Sequence, residues 1–413
     1  IYTGCYTLSL HDALPISDGS GPDRSVSPDI PAPSPAASSA PNGESGPPQA
    51  SPETDPETAE NPSASQEPSE SSLGPQNQEQ IIQELLSAMT LEEKVGQMFF
   101  VRCPETGGAE LAAQYKVGGY LLFGRDFKDK TAQQVRDDIQ SYQDASGIPL
   151  LIGTDEEGGT VVRASSNQDL FPQREPAPQT LFAQGGMDLI LQDARQKSMT
   201  LLDLGVNVNF APVADVSTDP ADFIYARSFG QDAQATANYV AQVVGVMGEE
   251  QIGSVLKHFP GYGNNVDTHT GIALDQRPYE TFQTSDFLPF QAGIQAGADA
   301  VLVSHNIAAS MDESLPASLS PTVHKILREE LGFDGVVLTD DLAMDAIMEY
   351  AQNGSAAVLA IQAGNDMVVT TDFQTQIPQV IHAVQSGVIA ESQIDQAVTR
   401  VLNWKYELGL LGN

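Results

Sequence analysis

The chain is poor in cysteine, in positive charge and in long apolar runs. Two cysteines in 413 residues, Cys5 and Cys103, cannot build a disulfide framework. Cys103 sits in an apolar run and reads as a buried free thiol rather than a nucleophile. Lysine and arginine number 19 against 55 aspartates and glutamates, a formal net charge of −36. That balance argues against binding nucleic acid or an anionic membrane through a basic surface. It suits solubility and a salty or extracellular setting. No apolar stretch approaches the ~20 residues that a membrane span needs. No Gly-x-Gly-x-x-Gly turn follows the first expected strand, which disfavours a doubly wound open sheet.

Large apolar residues are almost missing up to about Gln80. Residues 31–37 read Pro-Ala-Pro-Ser-Pro-Ala-Ala, and 51–60 are as rich in Pro, Thr and Glu. Such a segment buries too little apolar surface to offset its ordering entropy, so residues 1–79 are expected to be a disordered, extended tether. The N-terminus shows no initiator Met and no charged-then-apolar leader. Ile1 to about Ser17 resembles translated adaptor sequence. A signal or lipid anchor is therefore expected upstream, with the protein extracellular or tethered at a bacterial cell surface rather than cytoplasmic.

What is present begins at residue 80. Residues 80–413 are long enough for one large domain. Thr90-Leu91-Glu92-Glu93 is a capping box that starts a helix. Beyond it, short β-branched or apolar runs alternate with longer amphipathic stretches. The expected strands are Met98–Arg102, Gly119–Phe123, Pro149–Gly153, Val206–Phe210, Ser254–Leu256, Ala300–Val303, Val336–Leu338 and Met367–Val369. Expected helices include Ala132–Asp144, Met187–Leu204, Ala233–Glu249, Tyr279–Ala296, Pro321–Leu331, Gly354–Ala363 and Glu391–Leu408. About eight β-then-α units predict an α/β fold, a (β/α)8 TIM-type barrel. Trp404 belongs to a helical apolar pattern and is assigned to the core.

In such a barrel the active site lies at the C-terminal ends of the strands. There the chain places Thr154-Asp155-Glu156-Glu157 with Arg163, then Asp215 and Arg227. It goes on with Lys257 and His258, then Ser304-His305-Asn306, then Thr339-Asp340-Asp341. A single carboxylate at a strand end often caps a helix; polar groups at five ends in succession are hard to explain as caps. The stretch Lys257–Gly271 breaks at Pro260, Gly261 and Gly263 into a loop ending Asp267-Thr268-His269. Residues two apart in an extended segment face the same way, so Asp267 can reach His269. A carboxylate-backed imidazole suits a general acid/base near neutral pH.

These motifs resemble glycoside hydrolase family 3, specifically its single-barrel β-N-acetylhexosaminidase type, over about Leu91 to Leu411. Those that carry the likeness are Gly153–Gly159, Arg227–Gly230, Lys257–Gly261, Asp267–His269 and Thr339–Met344. The resemblance implies Asp340 as nucleophile and His269 with Asp267 as acid/base dyad. It implies Asp155, Arg163, Arg227, Lys257 and His258 as groups that hold the sugar. It further implies retention through a covalent glycosyl-enzyme, terminal β-linked N-acetylglucosamine as substrate, and no metal or cofactor. A small carbohydrate partner and a monomer are expected. Asp341 is expected to cap the next helix. The chain departs from the family's pattern at Tyr262, commonly His, at Thr268, commonly Ser, and at Glu156, often Gln or His. Three alternatives stand beside this reading. A β-glucosidase of the same family would place its acid/base in a later region that is missing here. A metal-dependent barrel hydrolase could use His258, His269, His305 and Asp340 as ligands, but lacks a histidine pair after its first strand. A surface-tethered carbohydrate-binding protein would have lost the chemistry.

Overall fold

The computed structural model describes residues 75–265, 273–344, 347, 350 and 355–412, with side chains from residue 78. Of the tether expected over residues 1–79, residues 1–74 lie outside the described residues, as does the pair Asp267 and His269, while residues 75–79 open the helix Pro75–Ala88 instead of extending as tether.

Short runs of Val, Ile, Leu and Phe with no polar alternation make strands that are buried on both faces, as parallel sheets require. Eight of them close a barrel: β1 (Phe99–Arg102), β2 (Gly119–Leu122), β3 (Leu151–Thr154), β4 (Val208–Asn209), β5 (Gly253–Phe259), β7 (Ala300–Val303), β9 (Val336–Asp341) and β10 (Met367–Thr370). Every neighbouring pair is parallel, and β10 closes on β1. The fold is the expected (β/α)8 barrel. Two further strands, β6 (Leu274–Asp275) and β8 (Ile307–Ala308), pair only with each other.

The barrel interior is a packed apolar plug that includes Phe100, Leu121, Leu151, Phe210, Val255 and Leu338. Phe100 and Phe210 stack across it, with ring centroids 5.1 Å apart and planes 7° from parallel. The stack dictates two glycines. A Cβ on Gly153 would lie 2.7 Å from both rings, and one on Gly119 would lie 2.0 Å from Phe100. The helix Glu391–Glu407 brings Val401 and Trp404 into this plug. Trp404 is a core residue as expected, and truncating it to alanine would cost about 3–5 kcal/mol.

Thr90 caps its helix reciprocally: the Glu93 N–H donates to its hydroxyl, and its own N–H donates to the Glu93 carboxylate at 2.9 Å. The helix Ala233–Glu249 has the expected bounds, with the Asp232 carboxylate accepting the Ala235 N–H. The helix expected from Met187 is present, and a second helical segment from Pro178 runs into it across a kink at Gly186, whose φ of 67° only glycine adopts readily. One strand expectation is corrected. Strands β5 and β9 run on to Phe259 and Asp341, so Lys257, His258, Thr339 and Asp340 are strand residues rather than members of the turns that follow. Apolar runs mark only the plugged part of a strand, and these strands continue where their inward side chains turn polar. Cys103 is a buried free thiol, which burial pushes up to about 12. Among the described residues no helix is long and apolar enough to cross a membrane.

Candidate active site

Side chains two apart on a strand share a face. Phe100, Leu121 and Val255 fill the plug, so Arg102, Phe123 and Lys257 form the layer above it, at the C-terminal mouth. Asp155 joins them one step beyond Gly153. The contacts make this layer a continuous chain of groups. The Arg102 guanidinium lies 4.3 Å from the centre of the Phe123 ring, and that of Arg163 5.2 Å. Arg163 donates to Asp155 Oδ2 at 3.4 Å, and Lys257 Nζ donates to Asp155 Oδ1 at 2.8 Å. Lys257 Nζ also lies 2.6 Å from Glu157 Oε1. Arg227 closes on Glu157 with two bonds, of 3.0 and 2.7 Å, and its Nη2 is 3.1 Å from His258 Nε2.

Parity alone would turn His258 outward. A register irregularity between Leu256 and Phe259 lets both Lys257 and His258 serve the mouth, while Phe259 packs outside against Phe287 and Phe290. Asp215 fixes the result. It is 1 % exposed, and it accepts His258 Nδ1 at 2.7 Å, the His258 N–H at 3.1 Å and the Tyr262 N–H at 2.7 Å. The Tyr262 ring meets His258 edge-on at 5.1 Å, so tyrosine at this position packs against the imidazole that Asp215 holds.

Burial opposes ionisation of both carboxylates in the chain, and the cations overcome it. Lys257 and Arg163 hold Asp155 well below the usual carboxylate range. Arg227 and Lys257 bring Glu157 down to about 2. Against its own burial, Arg227 is held above its ordinary value by Glu157.

Asp340 is half-buried near the end of β9, where its Oδ1 accepts the Asp341 N–H at 2.8 Å. The Asp341 carboxylate accepts the Ala343 N–H at 3.0 Å, a turn-capping role of the kind expected. His305 anchors this strand end: Nε2 reaches the Asp341 carbonyl at 3.0 Å and Nδ1 the Ser318 hydroxyl at 2.7 Å. A carbonyl only accepts, so Nε2 carries the proton in this network.

The segment expected to bear Asp267 and His269 lies outside the described residues, but both of its flanks are tied. Asn265 Nδ2 donates to Asp275 Oδ2 at 2.7 Å. Arg277 pairs with Asp275 at 2.7 Å and Asp286 at 2.9 Å, and donates to the Gly261 carbonyl at 3.2 Å.

Of the expected site residues, the structure brings together Asp155, Arg163, Arg227, Lys257 and His258, and places Asp340 near the C-terminal end of β9. Arg102 and Phe123 were not singled out from sequence, and Glu157 and Asp215 were placed at strand ends without an assigned role. Counting two residues beyond each plug residue would have found Arg102 and Phe123. Nothing local distinguishes Glu157 from Glu156, since their roles depend on partners far along the chain.

Fold and site together define a glycoside hydrolase barrel. The chain belongs to family 3 of these enzymes: the profile described as "Glycosyl hydrolase family 3 N terminal domain" matches residues 90–404. It is 34 % identical to a beta-hexosaminidase of Stenotrophomonas maltophilia over 317 residues, 74 % of this chain and 89 % of that one. A glycoside hydrolase family 3 beta-N-acetylglucosaminidase from Paenibacillus sp. str. FPU-7 superposes with a TM-score of 0.73 at 31 % identity. That match covers 79 % of this chain and 64 % of the Paenibacillus chain, just under two thirds of its length. A Beta-N-acetylhexosaminidase from Beutenbergia cavernae superposes with a TM-score of 0.67 at 29 % identity, over 76 % of this chain and 98 % of that one.

Proposed function

We propose that this chain is a retaining exo-β-N-acetylhexosaminidase that releases terminal, non-reducing β-linked N-acetylglucosamine. The observation that carries the reading is the doubly gripped Asp155, with Lys257 on one oxygen and Arg163 on the other, at the C-terminal end of the barrel where β9 also ends in Asp340 and Asp341. A carboxylate kept ionised in this way offers fixed acceptors to sugar hydroxyls, while Lys257, Arg163 and Arg227 offer donors. Asp340 attacks the anomeric carbon, and the glycosidic bond breaks as His269 gives its proton to the leaving oxygen. Water then attacks the glycosyl ester, His269 takes a proton back, and Asp340 leaves as carboxylate. Asp267 holds the imidazole in the required tautomer.

Peptidoglycan fragments or chitin-type oligosaccharides fit this specificity, and the enzyme acts as a monomer. The composition of residues 1–79 supports a cell-surface tether. Proton NMR of the first-formed sugar tests the route. Early appearance of the β-anomer of N-acetylglucosamine is expected. An α-anomer formed first would overturn the covalent intermediate.

A further inference from the structure

Glu156 is fully buried and makes no ion pair among the described residues. A carboxylate in that position is tolerable only if hydrogen bonds satisfy it. Four donors do so, all from one short stretch. Oε2 accepts the backbone N–H groups of Arg163 at 2.9 Å, Ala164 at 2.7 Å and Ser165 at 3.3 Å, and Oε1 accepts the Ser165 hydroxyl. Glu156 is itself tied to the barrel. Its N–H donates to Asn209 Oδ1 at 3.0 Å, and Asn209 Nδ2 donates to its carbonyl at 3.2 Å. Asn209 belongs to β4, so the carboxylate is a fixed reference point against the sheet.

The side chain of Arg163 has weaker moorings. Its bond to Asp155 is long, at 3.4 Å, its contact with Phe123 is at 5.2 Å, and its Nε is buried without a partner. A long guanidinium side chain held so loosely takes its position from its backbone. We propose that Glu156 is a positioning residue: it anchors the backbone of Arg163 to β4, so that the guanidinium stays on Asp155. This rests on the reading that Asp155 and Arg163 hold the sugar. Four donors converge on the side chain, and an acceptor-only group satisfies them all.

The test is a double-mutant cycle on turnover of 4-nitrophenyl β-N-acetylglucosaminide. Glu156→Ala leaves three N–H groups without an acceptor. Glu156→Asp keeps the charge but withdraws it by one bond length, about 1.5 Å. Each is expected to lower kcat/KM by about 10- to 100-fold, as ångström-scale misplacement does. Glu156→Gln, which keeps an oxygen for the N–H groups, recovers most of the loss. In an Arg163→Ala background the Glu156 substitutions are expected to add less than about twofold. Losses that multiply in the double variants would overturn the proposal, and so would a Glu156→Asp enzyme with unchanged kcat/KM. Should Glu156→Ala not fold, the cycle with Glu156→Asp decides alone. A wild type that turns over no such glycoside removes the activity reading, and amide hydrogen exchange then tests the anchor. Protection at Arg163, Ala164 and Ser165 that falls in Glu156→Asp but not in Arg163→Ala upholds it; protection unchanged in Glu156→Asp sinks it.

Discussion

Two buried lysines stand at opposite ends of the barrel. Lys257 lies at the mouth with Asp155 at 2.8 Å and Glu157 at 2.6 Å, two carboxylates for one ammonium. Lys405 lies at the floor, fully buried, with the Gln97 side-chain oxygen at 2.5 Å as its side-chain partner among the described residues. Burial pushes Lys405 down to about 7. The same side chain sits between two carboxylates at one end and against a single neutral amide at the other. The mouth, where the chemistry of such a barrel belongs, is where Lys257 meets its two carboxylates.

The largest break in this contrast comes from Lys257→Met. It strands two buried carboxylates, which costs about 3–5 kcal/mol of stability by the usual penalty for breaking a buried pair. It also loosens the Asp155 grip, so kcat/KM is expected to fall by roughly 1,000-fold, the combined effect of lost binding and lost orientation. Chemical denaturation and steady-state kinetics measure the two. A variant of wild-type stability and near-normal rate would deny the mouth its organising cation.

The floor should behave in the opposite sense. The unfolded chain keeps the Lys405 proton up to its ordinary value near ~10.4; the folded chain has lost it by about 7. Across that window unfolding takes up a proton, so stability rises with pH. Lys405→Met removes this slope. Its unfolding free energy, measured against wild type, should be higher at pH 6 by on the order of 1–3 kcal/mol than the same difference at pH 10. Turnover should stay close to wild type. A difference that does not vary with pH would show that Lys405 is charged throughout.

The same comparison shows what could be read in advance. All eight strands were placed to within a few residues, because a plug of Phe100, Leu121 and Val255 writes itself as apolar runs. The polar continuation of β5 through Lys257 and His258 looked like loop, since inward-facing charge breaks the apolar pattern that marks a buried strand. Asp340 and Asp155 were visible through their motifs. Glu157 and Asp215 were visible as strand-end carboxylates, but their roles were not, because what defines them is Arg227 and His258, residues 70 and 43 positions away. The pair β6 and β8 was invisible for a similar reason: each is a two-residue strand that exists only through its partner. The helix start after Gly186 was legible, while the segment from Pro178 that leads into it across the kink was not.

The most direct measurement is hydrolysis of 4-nitrophenyl β-N-acetylglucosaminide beside the β-glucoside, for wild type, Asp340→Ala and His269→Ala. The account predicts turnover of the N-acetylglucosaminide alone, nearly abolished in Asp340→Ala and strongly reduced in His269→Ala. Hydrolysis that survives Asp340→Ala would contradict the nucleophile, and preference for the glucoside would contradict the specificity.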